Sequence, residues 1–139
     1  MLDAHSLHSM QNLSPADAII LLLDSDPVMR GVLRDALESA GYLVVAAADL
    51  GAAVDRLHEM RPDLLITRPY INSMPGHMAA DYLRSKRHGL SVMIVGGFMD
   101  DDRVRDQDAI GLFHIFPKPF SRGEFLANVK QVLGTVRKS

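Results

Sequence analysis

Carboxylates and cations in this 139-residue chain stand within a few residues of the ends of apolar runs. Asp24 and Asp26 follow Ile19–Leu23 in the segment LLLDSDP. Arg68 follows Leu64–Thr67, and Lys118 follows Phe113–Phe116. Carboxylate oxygens suit a hard divalent cation such as Mg²⁺, whereas guanidinium and ammonium groups pair with anions. The run Asp100-Asp101-Asp102 resembles a metal cluster by charge alone; it reads more simply as acids at a helix N-terminus, where the helix dipole favours them. His5 and His8 are three apart and could share one helix face as metal ligands, but read as solvated tail side chains. His58, His77, His88 and His114 lack ligand or triad spacing and read as mostly exposed or half-buried. The chain has no nucleophile–base pair, no glycine-rich phosphate loop and no cysteine. It is therefore read as a non-enzyme.

The elements that position these groups alternate between short apolar runs and helical periods. Ile19–Leu23, Tyr42–Ala47, Leu64–Thr67, Val92–Val95 and Phe113–Phe116 read as strands buried on both faces. The first helix is announced by Asp26 as N-cap with Pro27 behind it. Val28, Val32, Leu33, Leu37 and Ala40 follow helical spacing, and Gly41 is its stop. A second helix carries Leu50, Ala53, Val54, Leu57 and Met60, and Arg61-Pro62 ends it. Arg68 to Pro75 reads as a loop with two prolines, Gly76 to His88 as a third helix closed by Gly89, and Asp101 to Ala109 as a charged fourth helix. Ser121 and Glu124 form a capping box before a last helix with the stripe Phe125, Val129, Val132, Leu133 and Val136.

Five strands alternating with helices predict a parallel sheet covered on both faces. In such sheets sites form beyond the carboxyl ends of the strands. Here those ends are Asp24-Ser25-Asp26, Arg68, Gly96-Gly97 and Lys118. Residues 1–17 read as a loose leader, 18–136 as a single domain and 137–139 as a tail.

Composition excludes several classes. Hydrophobic residues make up 47% and charged residues 23% of the chain, as in a globular domain. Fifteen basic residues against seventeen acidic ones leave a net charge of −2, with no basic footprint for nucleic acid. The apolar run Ala18–Leu23 is far too short to span a bilayer, and no basic residue precedes Arg30 as a signal peptide would require. A cytoplasmic protein without membrane association is expected.

From about Ile19 to Leu133 the chain resembles the receiver domain of bacterial two-component response regulators. LLLDSDPVMRGVLRDALESAGYLVVAAAD is similar to that family's first strand, acidic cluster, first helix and second strand. RPDLLIT is similar to its third strand, NSMPG to the loop beyond it, and FPKPFSRGEFLANVKQVL to its lysine–proline strand end and last helix. The resemblance implies a flavodoxin-like doubly wound (βα)5 fold, a three-layer sandwich with sheet order 2-1-3-4-5. It also implies phosphorelay chemistry. A histidine kinase passes a phosphoryl group to an aspartate ending the third strand, two acids ending the first strand help to bind Mg²⁺, and a lysine contacts the phosphoryl group. A Ser or Thr on the fourth strand and an aromatic on the fifth report the change.

Matched position by position, Lys118 is the lysine, Asp24 the first acid and Asp26 a frequent third acid. Ser25 stands where the second acid belongs, Arg68 at the phosphoacceptor, Asn72 at a loop proline, Gly96 at the Ser or Thr, and Ile115 at the aromatic switch. An acyl phosphate needs a carboxylate nucleophile, and arginine has no acceptor lone pair. Asp24 contributes −1, Ser25 nothing, and Arg68 and Lys118 +1 each, so the pocket carries +1 where the family pattern carries −2. Mg²⁺ binding is expected to be absent or weak, with no other cofactor. Asp63, about 16 Å from the strand end at strand rise, is too distant to accept phosphate, and the Thr67 side chain is expected on the opposite face.

Arg68 has three readings: an ion pair with Asp24 or Asp26 that fills the vacated site, a mimic of a locked signalling state, or an anion site shared with Lys118. The chain is thus read as a stand-alone degenerate receiver acting by protein–protein contact, as a monomer or homodimer. Its partner would be a signalling component, a histidine kinase or another regulator. The contact face expected from the resemblance is the fourth helix, fifth strand and fifth helix, with Arg103, Arg105, Phe113, Lys118, Phe120 and Arg122. Two rivals stand beside this reading: a conventional phosphorelay receiver, and an anion- or small-ligand-binding domain using Arg68 and Lys118.

Overall fold

The computed structural model describes residues 17–95, 114–116 and 121–136, and for 114–116 and 135–136 the backbone only. The leader to residue 16, the tail 137–139, the fourth helix, Gly96-Gly97, Asp100-Asp101-Asp102, Arg103, Arg105, Phe113 and the Lys118-Pro119-Phe120 segment lie outside the described residues.

Strands β1 (Ile19–Leu23), β2 (Leu43–Ala47), β3 (Leu64–Thr67), β6 (Ser91–Val95) and β7 (His114–Phe116) form one sheet in the order β2-β1-β3-β6-β7. Every pairing in it is parallel. With the small hairpin β4 (Tyr70–Ile71) and β5 (Met74–Pro75) set aside, this is the 2-1-3-4-5 order of the flavodoxin-like fold. The helices among the described residues are α1 (Pro27–Ser39), α2 (Leu50–Glu59), α3 (Gly76–Lys86) and α4 (Arg122–Val136).

Side-chain alternation along each strand supplies two cores. Ile20, Leu22, Leu64, Ile66, Met93 and Val95 pack with Leu33, Ala36 and Leu37 of α1 and with Phe125, Val129, Val132 and Leu133 of α4. Leu21, Leu23, Leu65, Val92 and Ile94 pack on the other face with Ala53 of α2 and Ala79, Ala80 and Leu83 of α3. The apolar runs of β1, β3 and β6 are therefore strands covered on both sides, as expected, whereas β2, at the sheet edge, leaves Leu43 54% exposed and Val45 and Ala46 half-buried.

Local signals account for the helix ends. Asp26 Oδ1 accepts from Val28 N at 3.0 Å with Pro27 in the first turn. Gly41 adopts φ 99°, the left-handed geometry that glycine takes beyond a helix end. Ser121 and Glu124 bond each other's backbone N–H as a capping box. Asp49 caps α2 through Ala52 N at 2.8 Å.

Packing corrects several local expectations. Val28 and Val32 do not belong to the buried stripe of α1; they are 73% and 56% exposed. The buried row is Leu33, Ala36 and Leu37 with Met29 and Ala40 packed beside it. The sequence offers two apolar rows at helical spacing, and only the sheet selects between them. The second strand starts at Leu43, leaving Tyr42 buried before it. The loop from Arg68 to Pro75 contains the β4–β5 hairpin. Its turn holds Asn72 at φ 56°, a conformation that proline, locked near −65°, cannot adopt. The third helix ends at Lys86 rather than His88. His77 is buried rather than exposed or half-buried, in the first turn of α3 beside the buried Gly76, Ala79 and Ala80.

Candidate functional site

The site is built at the carboxyl ends of β1 and β3. Asp24 continues β1: its N–H donates to Ala47 O at 3.0 Å, one step past the β1–β2 ladder. Its side chain is held in two ways. Oδ1 accepts from Asp26 N at 2.9 Å, closing the turn into α1. Oδ2 faces Arg68 Nη1 at 3.6 Å, an ion-pair distance beyond hydrogen-bond length. Asp24 is 1% exposed and the Arg68 side chain 25% exposed.

Of the two carboxylates open to it, Arg68 therefore takes Asp24. Asp26 is exposed and spends its carboxylate on the α1 cap, so it does not turn inward. Ser25 lies between them, half-buried. Asp24 Oδ2 and Arg68 Nε have no hydrogen-bond partner among the described residues. A buried pair with unmet hydrogen bonds is a weak source of stability, and losing either partner leaves a costly lone charge.

Two contributors were missed by sequence reasoning. Arg30 Nη1 donates to the Asp24 carbonyl at 2.8 Å, so a second guanidinium closes over the strand end. Its readable signal is a cation one turn past the cap Asp26. Gly76, the first residue of α3, donates its N–H to Pro69 O at 2.7 Å. A Cβ built there would lie 2.0 Å from the Arg68 carbonyl oxygen. Only glycine allows this approach, which presses α3 against the backbone that carries Arg68. Thr67 is buried, and its hydroxyl donates to the Arg68 carbonyl at 3.3 Å.

The remaining expected positions divide by location. Asp63 sits at the opposite end of β3, where Oδ2 accepts from Ile19 N at 2.9 Å. Ile115 is in β7, paired with Ile94. Arg122, at the start of α4, is exposed and its guanidinium donates to Ser39 Oγ of α1. Among the described residues, no helix is long and apolar enough to cross a membrane.

Comparisons with known proteins agree with this architecture. A 124-residue stretch is 30% identical to the sensor kinase CckA of Brucella abortus, covering 88% of this chain and 13% of that protein. A 115-residue stretch is 32% identical to the response regulator MprA of Mycobacterium avium, covering 82% of this chain and 50% of that protein. The chain thus spans half or less of the length of these relatives. The fold is similar to that of the chemotaxis protein CheY4 of Vibrio cholerae, with TM-score 0.74 and 24% identity over 84% of this chain and 98% of that one. The family profile of the response regulator receiver domain matches residues 20–130. Spanning most of the chain, that match places the protein in the response regulator receiver domain family of two-component signalling.

Proposed function

We propose that this chain is a degenerate receiver that signals without phosphorylation, by binding another protein of a two-component system such as a histidine kinase or a second regulator. The carrying observation is the Arg68–Asp24 pair. Arg68 follows β3, where the resemblance puts the acceptor aspartate, and a guanidinium cannot become an acyl phosphate. The pair also bears on Mg²⁺. Of the three residues that follow β1, Asp24 has one oxygen on Asp26 N–H and the other facing Arg68, Ser25 is neutral, and Asp26 caps α1. Such a set does not fit a divalent cation that wants one or two free carboxylates. In their place, Arg68 supplies the positive charge that Asp24 needs.

Protein contact is further supported beside this site. Val28 and Val32 form an exposed apolar row on α1, one turn from Asp24. A contiguous apolar patch rimmed by polar groups is the usual mark of a protein interface, and this row would form part of one.

The test is incubation with acetyl phosphate and Mg²⁺ followed by intact mass, with an amide NMR titration of Mg²⁺ and then beryllofluoride. The expected result is no adduct and no saturable shift near Asp24 and Arg68. A stoichiometric phosphoryl adduct overturns the reading. In the double variant Ser25→Asp/Arg68→Asp, a saturable Mg²⁺ response is expected, because two carboxylates return to the strand ends.

A further inference from the structure

The most pronounced feature outside the site is an exposed stripe along α3. Met74, Met78 and Tyr82 lie four residues apart and all three are exposed. Lys86 extends the same row, with its Nζ 5.3 Å from the Tyr82 ring centre. At the Met74 end a groove of about 320 Å³ opens between the β4–β5 turn and the start of α2, lined by Asp49, Leu50, Ile71 and Met74 among others. Asp49 is exposed on its rim; one oxygen caps Ala52 N.

The stripe is therefore apolar in the middle, acidic at one end and basic at the other, where Arg87 follows Lys86. A surface with this polarity is complementary to itself when turned end for end. That is the requirement of a two-fold interface, in which each residue meets the partner of its own counterpart.

We propose that the α3 face is where a second copy of this chain docks, antiparallel, about a two-fold axis at the level of Ala80. Met78 of one copy then meets Tyr82 of the other, a sulfur–aromatic contact, and Tyr82 meets Met78 in return. Lys86 of each copy lies over Met74 and within reach of Asp49 across the groove of the other. The contact involves one short helix and a hairpin turn, so it is small by the standard of stable interfaces. The dimer is accordingly weak and salt-sensitive.

The experiment is light scattering and sedimentation of the whole chain from about 10 μM to about 1 mM. The expected result is a mass rising from one chain towards two, with dissociation strengthened by added salt. Met78→Glu and Tyr82→Glu should each weaken the dimer by about tenfold or more. Asp49→Asn, which keeps the α2 cap, and Lys86→Glu should weaken it severalfold.

The register has its own test, because the chain contains no cysteine. Met78→Cys protein mixed with Tyr82→Cys protein should form a disulfide-linked pair on air oxidation, since the geometry requires close Cβ atoms. Val28→Cys protein, labelled on α1, should not. A monomer at about 1 mM, a dimer indifferent to the α3 substitutions, or equal cross-linking through position 28 overturns the proposal.

Discussion

The sheet carries an aspartate at each end, and the two are used differently. Asp63, at the amino ends of the strands, is stitched into three of them. Its N–H donates to Ile19 O at 2.8 Å, its carboxylate accepts from Ile19 N at 2.9 Å, and its carbonyl accepts from Ser91 N at 3.2 Å. Asp24, at the carboxyl ends, is more deeply buried, yet one oxygen has a guanidinium at 3.6 Å and no hydrogen bond. The first carboxylate acts as a backbone clamp. The second is a charge kept in place by another charge. Strand carboxyl ends are where this architecture places its sites, and incomplete hydrogen bonding is tolerated there rather than at the clamped end.

The largest effect at the Asp24 end is expected from Gly76. Gly76→Ala sets a Cβ against the Arg68 carbonyl. We expect about 3 kcal/mol loss in urea unfolding, with amide shifts concentrated near Arg68 and Asp24 rather than near Asp63. Next, Arg68→Ala leaves the Asp24 carboxylate buried without its ion-pair partner. About 2 kcal/mol should be lost, less than for a fully enclosed pair because Arg68 is partly solvated. The double variant Asp24→Asn/Arg68→Met should recover part of that loss in a double-mutant cycle.

At the other end, Asp63→Ala should cost about 1.5 kcal/mol, from an Ile19 N–H left without its acceptor. Combined with Arg68→Ala, it should add within about 0.5 kcal/mol. Coupling well above that would mean that the two ends are not independent. The smallest effect concerns Tyr42, whose phenol is pushed above its ordinary value near 10 by burial. Its folded form holds the proton more tightly than the unfolded chain does. The associated stability is complete below pH 10 and declines as pH rises through the folded value. Tyr42→Phe should flatten that alkaline decline in pH-dependent urea midpoints.

These effects separate what could be read from the chain itself. Asp26-Pro27, Gly41 and the Ser121–Glu124 box were legible because a cap involves residues within one turn. The apolar runs of β1, β3 and β6 were legible because strands buried on both faces need no alternation. Val28 and Val32 misled because their spacing is helical but their row faces water. Nothing local distinguishes that row from the one occupied by Leu33 and Leu37. His77 misled likewise, since its burial depends on where α3 rests.

By itself, then, the sequence determined the alternation of strands and helices, the caps that end them, and the arginine that stands directly after the third strand. Those are matters of residue type and short-range hydrogen bonding. Tertiary structure alone decided that Arg68 pairs with Asp24 and not Asp26, that Arg30 closes over the same strand end, and that Gly76 must carry no side chain. The Arg68–Asp24 pair depends on parallel strands laid side by side in a fixed register, which brings together groups far apart in the chain; the Arg30 and Gly76 contacts depend on how the next helix turns back onto the strand end. The same register put Asp63 beside Ile19, 44 residues away.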